Sequence, residues 1–68
     1  MMIETNRTFK AYARTNRKVR WQYSEYCGRW ESKERAIAEV MERYEGERAE
    51  YRIENMETDE VETGFLNK

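Results

Sequence analysis

The single thiol, Cys27, is followed by Gly28 and Arg29. A neighbouring guanidinium lowers a thiol's pKa and raises its reactivity. Nucleophilic catalysis also needs a base, and an oxidised thiol needs a resolving partner. The 68 residues contain no His and one Cys, so a Cys–His pair, a Ser–His–Asp triad and a zinc site within one chain are ruled out. Asp and Glu number 14, but they are interleaved with bases in the manner of solvated surfaces, and a chain this short hardly encloses the cleft that paired carboxylates require. The run Asp59-Glu60-Val61-Glu62 lacks the alternating oxygen ligands and central glycine of a calcium loop. Gly28, Gly46 and Gly64 are isolated, so no loop cradles a phosphate. A non-enzymatic protein without cofactor or metal is expected, and Cys27 reads as an incidental turn residue.

Two other constellations could bind. Lys10, Tyr12, Arg14, Arg17, Lys18 and Arg20 interleave bases with an aromatic, ahead of Trp21. Bases release counterions from phosphates and an exposed tyrosine stacks on a nucleobase, so this group is the candidate nucleic-acid surface. The second half is acidic instead. Residues 1–35 hold nine bases against four acids (+5), and residues 36–68 hold four bases against ten acids (−6), hidden in a net charge of −1. Glu50, Glu54, Glu57, Asp59, Glu60 and Glu62 could present a negative strip to a basic groove on another protein, including one that normally holds nucleic acid. Tyr12, Tyr26 and Trp30 are difficult to bury in so small a chain and belong to the residue types enriched at interface hot spots.

The elements that position these groups follow from periodicity. Residues 7–13 alternate, with Phe9, Ala11 and Ala13 on one face and Thr8, Lys10 and Tyr12 on the other. Residues 19–26 alternate again, with Val19, Trp21 and Tyr23 inward, which predicts an antiparallel hairpin across a polar break at 14–18. Cys27-Gly28 predicts a turn, and Arg29-Trp30-Glu31 a short third strand. Ser32 is a helix N-cap with Glu34 in the first turn, and Ala36, Ile37, Val40, Met41 and Tyr44 form one stripe to about Glu45, where Gly46 stops the helix. Glu39 and Arg43 stand in the favourable i, i+4 order. Residues 49–54 alternate with Ala49, Tyr51 and Ile53 inward. After a turn at 57–60, Val61, Thr63 and Phe65 pair back as a last strand.

The expected fold is α+β: an antiparallel sheet of three to five strands with one helix packed on one face, in the order β-β-β-α-β-β. One domain spans 1–68, with loose ends at 1–5 and 66–68. Phe9, Val19, Trp21, Tyr23, Ile37, Val40, Met41, Tyr51 and Ile53 are the predicted interior. So few large side chains stabilise a small domain only modestly, and a protein partner or a second copy over the open sheet face would remedy that. No apolar run reaches the roughly 20 residues of a membrane span. The polar start, Met1 to Lys10, lacks the apolar stretch of a signal peptide, and one cysteine gives no disulfide, so a cytoplasmic protein is expected.

Certain segments carry a resemblance: Arg20-Trp21-Gln22-Tyr23, Gly28-Arg29-Trp30, Ser32-Lys33-Glu34-Arg35-Ala36, Glu50-Tyr51-Arg52-Ile53 and Glu57-Thr58-Asp59-Glu60-Val61. In these the chain resembles small phage and prophage accessory proteins with a Trp/Tyr hairpin and a closing hairpin. The resemblance implies a protein that acts in the host cytoplasm by binding a host protein and redirecting or blocking it, in some cases as a nucleic-acid mimic. Val19 to Glu45 is also similar to the arm-site DNA-binding domain of phage integrases, from which the chain departs by its acidic second half and extra closing hairpin. The sequence therefore reads as a protein-interaction module using Tyr12, Tyr26, Trp30, Glu50, Glu54, Glu57, Asp59, Glu60 and Glu62. The alternative is a nucleic-acid-binding module using Lys10, Tyr12, Arg14, Arg17, Lys18 and Arg20.

Overall fold

A computed structural model describes residues 7–66. Residues 1–5 and 67–68, expected as loose ends, lie outside them. Four strands and one helix follow in order: β1 (Phe9–Arg14), β2 (Glu25–Trp30), α1 (Lys33–Arg43), β3 (Ala49–Asn55) and β4 (Val61–Leu66). All neighbours are antiparallel, and the sheet order is β2-β1-β3-β4. The α+β sheet with one helix is the expected fold, with one strand fewer before the helix.

That difference lies in residues 19–31. The alternating stretch from Val19 to Tyr23 is not a strand: it is a loop closing on a single 3-10 turn, Trp21–Tyr23, held by Tyr23 N–H donating to the Arg20 carbonyl at 2.8 Å. Cys27-Gly28 is not a turn but the middle of β2. Lys10 faces Arg29 and Tyr12 faces Tyr26, so Ala11 alone spans Cys27 and Gly28, a β-bulge in which Gly28 takes φ +94°. The choice follows from burial and chain length. β1 offers six positions, enough for one of the two candidate segments. Pairing the later one buries Cys27 against the helix and delivers the chain directly to Ser32.

Helix α1 matches its sequence signals. The Ser32 side chain accepts from the Arg35 N–H at 3.1 Å, Glu34 lies in the first turn, and Gly46 at φ +79° ends the helical segment after the Tyr44 cap. Ala36 and Val40 are buried, and Ile37 and Tyr44 pack beside them. Met41 is half-exposed instead, because it falls about 140° around the helix from Ala36, at the margin of the apolar arc. Arg35, rather than Arg43, engages Glu39, with Nε donating at 3.0 Å.

The interior is built mostly from small residues: Ala11, Ala13, Cys27, Ala36, Val40, Ala49, Ile53 and Leu66, flanked by Phe9, Trp30, Ile37, Tyr44 and Tyr51. Alanines on β1 and on α1 let the helix settle over β1, β2 and β3. Of the predicted interior, Tyr23 is 73% exposed, and Val19 and Trp21 are half-buried outside this cluster. Leu66, expected to be loose, is the buried last residue of β4, opposite Ala49.

Tyr44 closes the helix side. Its hydroxyl donates to the Glu25 carboxylate at the edge of the sheet. Burial, reinforced by that carboxylate, holds its pKa far above the usual 10.0. A group raised in the folded state keeps its full contribution below the unfolded pKa and loses it as pH rises. Denaturant unfolding is therefore expected to show wild-type stability falling as the pH rises above about 10, and Tyr44→Phe to flatten part of that fall. An unchanged slope in Tyr44→Phe contradicts the assignment.

Candidate interaction surface

Strand register decides which face each side chain joins. Lys10, Tyr12 and Arg14 of β1 stand opposite Glu54, Arg52 and Glu50 of β3, which in turn stand opposite Val61, Thr63 and Phe65 of β4. Directly opposed residues share a face. These nine, with Tyr26 opposite Tyr12, therefore share the face away from α1.

The charged members of that face hold one another. Arg14 donates from Nε to Glu50 Oε1 at 2.9 Å, and a second guanidinium nitrogen lies 2.7 Å from the same oxygen. It also donates to the Val19 carbonyl at 2.6 Å and stacks on Trp21, 4.1 Å from the ring centre. Arg52 Nε donates to Glu54 at 3.0 Å. The Tyr12 and Tyr26 rings meet at 5.4 Å with a 52° tilt, a favourable inclined contact. Burial raises the Tyr12 hydroxyl's pKa, with Glu54 and Tyr26 adding to the effect, so it stays a proton donor at neutral pH. The 3-10 turn lies over the Arg14 end and reaches the middle of the face, where Trp21 and Gln22 form a cleft with Tyr12, Arg52 and Glu54. Tyr26, Val61, Thr63 and Phe65 remain exposed.

The interaction residues read from the sequence are thus divided. Tyr12, Tyr26, Glu50 and Glu54 come together on the open face, but the two glutamates are paired with arginines rather than presented as a negative strip. Trp30 is not on that face: it packs against the core on the helix side, with its indole N–H donating to the Cys27 carbonyl at 3.0 Å and Arg35 stacked over it at 5.5 Å. Glu62 also points to the helix side and pairs with Lys33 at 3.0 Å. Glu57, Asp59 and Glu60 occupy the exposed β3–β4 turn, where Asp59 takes φ +62° and the Asn55 side chain accepts from the N–H groups of Glu57 and Thr58.

The basic group divides as well. Lys10 and Arg14 lie on the open face, while Arg17, Lys18 and Arg20 are exposed in the loop before the 3-10 turn. Arg17 is drawn over the Phe65 ring at 5.5 Å. Cys27 is fully buried, and burial pushes its thiol pKa up rather than down. The Arg43 guanidinium opposes that rise only in part, while the neighbouring Arg29 donates to the Arg7 carbonyl. Among the described residues no group of His, Cys, Asp and Glu could hold a metal ion, and no helix is long and apolar enough to cross a membrane.

No known protein family, curated protein or solved structure matches the chain.

Arg52, Val61 and Phe65, which share this face, were not among the candidates read from the sequence. Their signal was present in the alternation of 49–54 and 61–65 across a short turn, since hairpin register puts Arg52 and Thr63 on one face. Trp21, expected in the interior, is placed by the loop against the Arg14 guanidinium instead.

Proposed function

We propose that this chain is a non-catalytic protein-binding module that docks a protein partner on its open sheet face, around Tyr12, Tyr26 and Arg52. One observation carries the reading: the tyrosine pair sits within a ladder whose arginines are already matched to glutamates. Such a surface has little net charge, offers aromatic area beside hydrogen-bonding groups, and suits the mixed chemistry of a protein better than a uniform polyanion. Tyr26 is 48% exposed, and Val61 and Phe65 extend the apolar margin across β4. The acidic turn Glu57–Glu60 would orient an approaching basic partner by long-range attraction. The resemblance to phage accessory proteins makes a host protein the partner class to search first.

The nucleic-acid reading keeps Lys10, Arg17, Lys18 and Arg20 but loses Arg14, whose guanidinium is engaged by Glu50, Val19 and Trp21. The test compares capture from a host lysate by the wild type and by Tyr26→Ala/Arg52→Glu, beside titration of duplex and single-stranded DNA. A protein retained by the wild type and lost by the variant, with no DNA binding, supports docking on this face. DNA binding that weakens steeply with salt and vanishes in Arg17→Ala/Lys18→Ala/Arg20→Ala overturns it.

A further inference from the structure

Trp21 and Gln22, from the connection between β1 and β2, close with Tyr12, Arg52 and Glu54 on a cleft of about 410 Å³. Its aromatic walls are held in place. The Arg14 guanidinium lies 4.1 Å from the centre of the Trp21 ring, and Tyr12 leans on Tyr26 at 5.4 Å. Four of the five lining side chains keep a donor with no acceptor among the described residues: the Trp21 indole N–H, the Tyr12 hydroxyl, the Gln22 amide and the outer guanidinium nitrogens of Arg52. The one charged acceptor in the lining, Glu54, is held by Arg52 Nε at 3.0 Å.

Those donors describe the occupant. Their exposed ends carry positive charge, partial or full, beside aromatic faces, so the complementary ligand is rich in acceptors, poor in N–H groups and able to pack on a ring. An ordinary peptide strand brings one N–H for every carbonyl, and each N–H buried without an acceptor costs about 1–3 kcal/mol. Proline removes that N–H and keeps the carbonyl. A run of prolines is also fixed beforehand in the polyproline II helix, whose carbonyls make no internal hydrogen bonds, so little ordering entropy is lost on docking against aromatic walls. A methylated ammonium, another guest of aromatic walls, is disfavoured by the Arg14 and Arg52 guanidiniums at the cleft.

We infer that the partner docks here through a proline-rich segment in the polyproline II conformation, which crosses the strands from the Trp21–Tyr12 cleft to Tyr26. The cleft takes its sheet residues from β1 and β3, and Tyr26 stands on β2, opposite Tyr12. Strands lie about 4.8 Å apart, so the path from the cleft to Tyr26 is about 7–10 Å. One three-residue turn of polyproline II is about 9 Å long. Prolines at i and i+3 therefore reach the cleft and the half-exposed Tyr26 from one side of the ligand, and the carbonyls between them meet Gln22 and Arg52. The inference rests on protein docking at the open face, proposed above, and names the chemistry of the docked segment.

Calorimetric titration of the full chain with a blocked ten-residue polyproline peptide is the test, beside a Gly/Ser peptide and an oligothymidylate of equal length. The expected result is polyproline binding with Kd below about 1 mM, and none for the other two. Tyr26→Ala is expected to weaken binding about tenfold and Gln22→Ala about threefold, each with an unchanged melting temperature, since both side chains lie outside the core. Polyproline that fails to bind up to about 1 mM overturns the inference. So does equal binding of the Gly/Ser peptide or the oligothymidylate, or binding unchanged in both variants. A protein captured from lysate by the wild type, lost in Tyr26→Ala/Arg52→Glu and not displaced by polyproline overturns this inference while leaving docking on the face intact. Absence of both peptide binding and any captured protein overturns the two together.

Discussion

Arg14→Ala is expected to lower folding stability by about 2–4 kcal/mol, and to release the loop between β1 and β2 from the sheet. The Arg14 and Glu50 side chains are only 15% and 14% exposed, so removing the guanidinium leaves a largely desolvated carboxylate without its cation. The Val19 carbonyl loses its donor and Trp21 loses the plane on which it stacks. Arg14→Lys should recover only part of the loss, because an ammonium cannot serve two acceptors and an indole face with one planar fork. Denaturant titration measures the stability change. Tryptophan fluorescence in a Trp30→Phe background reports the release of Trp21. A stability loss under about 0.5 kcal/mol would place Arg14 among ordinary surface ion pairs. The experiment also bears on function, since Trp21 and Gln22 form a cleft with Tyr12 and Arg52 of the proposed docking face, and an unseated loop should weaken partner capture even where the fold survives.

Gly28→Val is expected to cost about 2–3 kcal/mol, close to the Arg14 effect but through the backbone. The bulge holds residue 28 at φ +94°, where a branched L side chain is strained, and a Cβ there would stand 3.4 Å from the Trp30 ring. Relief would require β2 to lose its bulge and slip by one residue, which turns Cys27 out of the core and carries Trp30 off its contact with the Cys27 carbonyl. Gly28→Ala should cost less, because alanine meets the same backbone strain with less steric conflict. Thermal melts of the three proteins give the order wild type, Gly28→Ala, Gly28→Val. An equal melting temperature for all three would mean that the bulge is not needed. Small domains have little stability in reserve, so either loss is a sizeable part of the total.

Local pattern was sufficient wherever one interaction dominates. The helix from Lys33 was legible because a cap, a first-turn acid, an apolar stripe and a terminating glycine agree on it. The closing hairpin was legible because two alternating segments flank a short polar turn. The placing of Tyr12, Glu50 and Glu54 on one face followed from the alternation of β1 and β3, whereas Tyr26 joins them only because β2 begins at Glu25. Only the tertiary structure decided between residues 19–26 and 25–30 as the partner of β1. Both alternate or carry aromatics, and the second wins by burying Cys27 and feeding Ser32, gains that exist only once sheet and helix are assembled. The same assembly turned Trp30 and Glu62 to the helix side and converted apparently available charges into pairs. Alternation and capping are short-range consequences of backbone geometry, whereas the choice of face and of ionic partner depends on groups many residues apart, whose energies no local window contains.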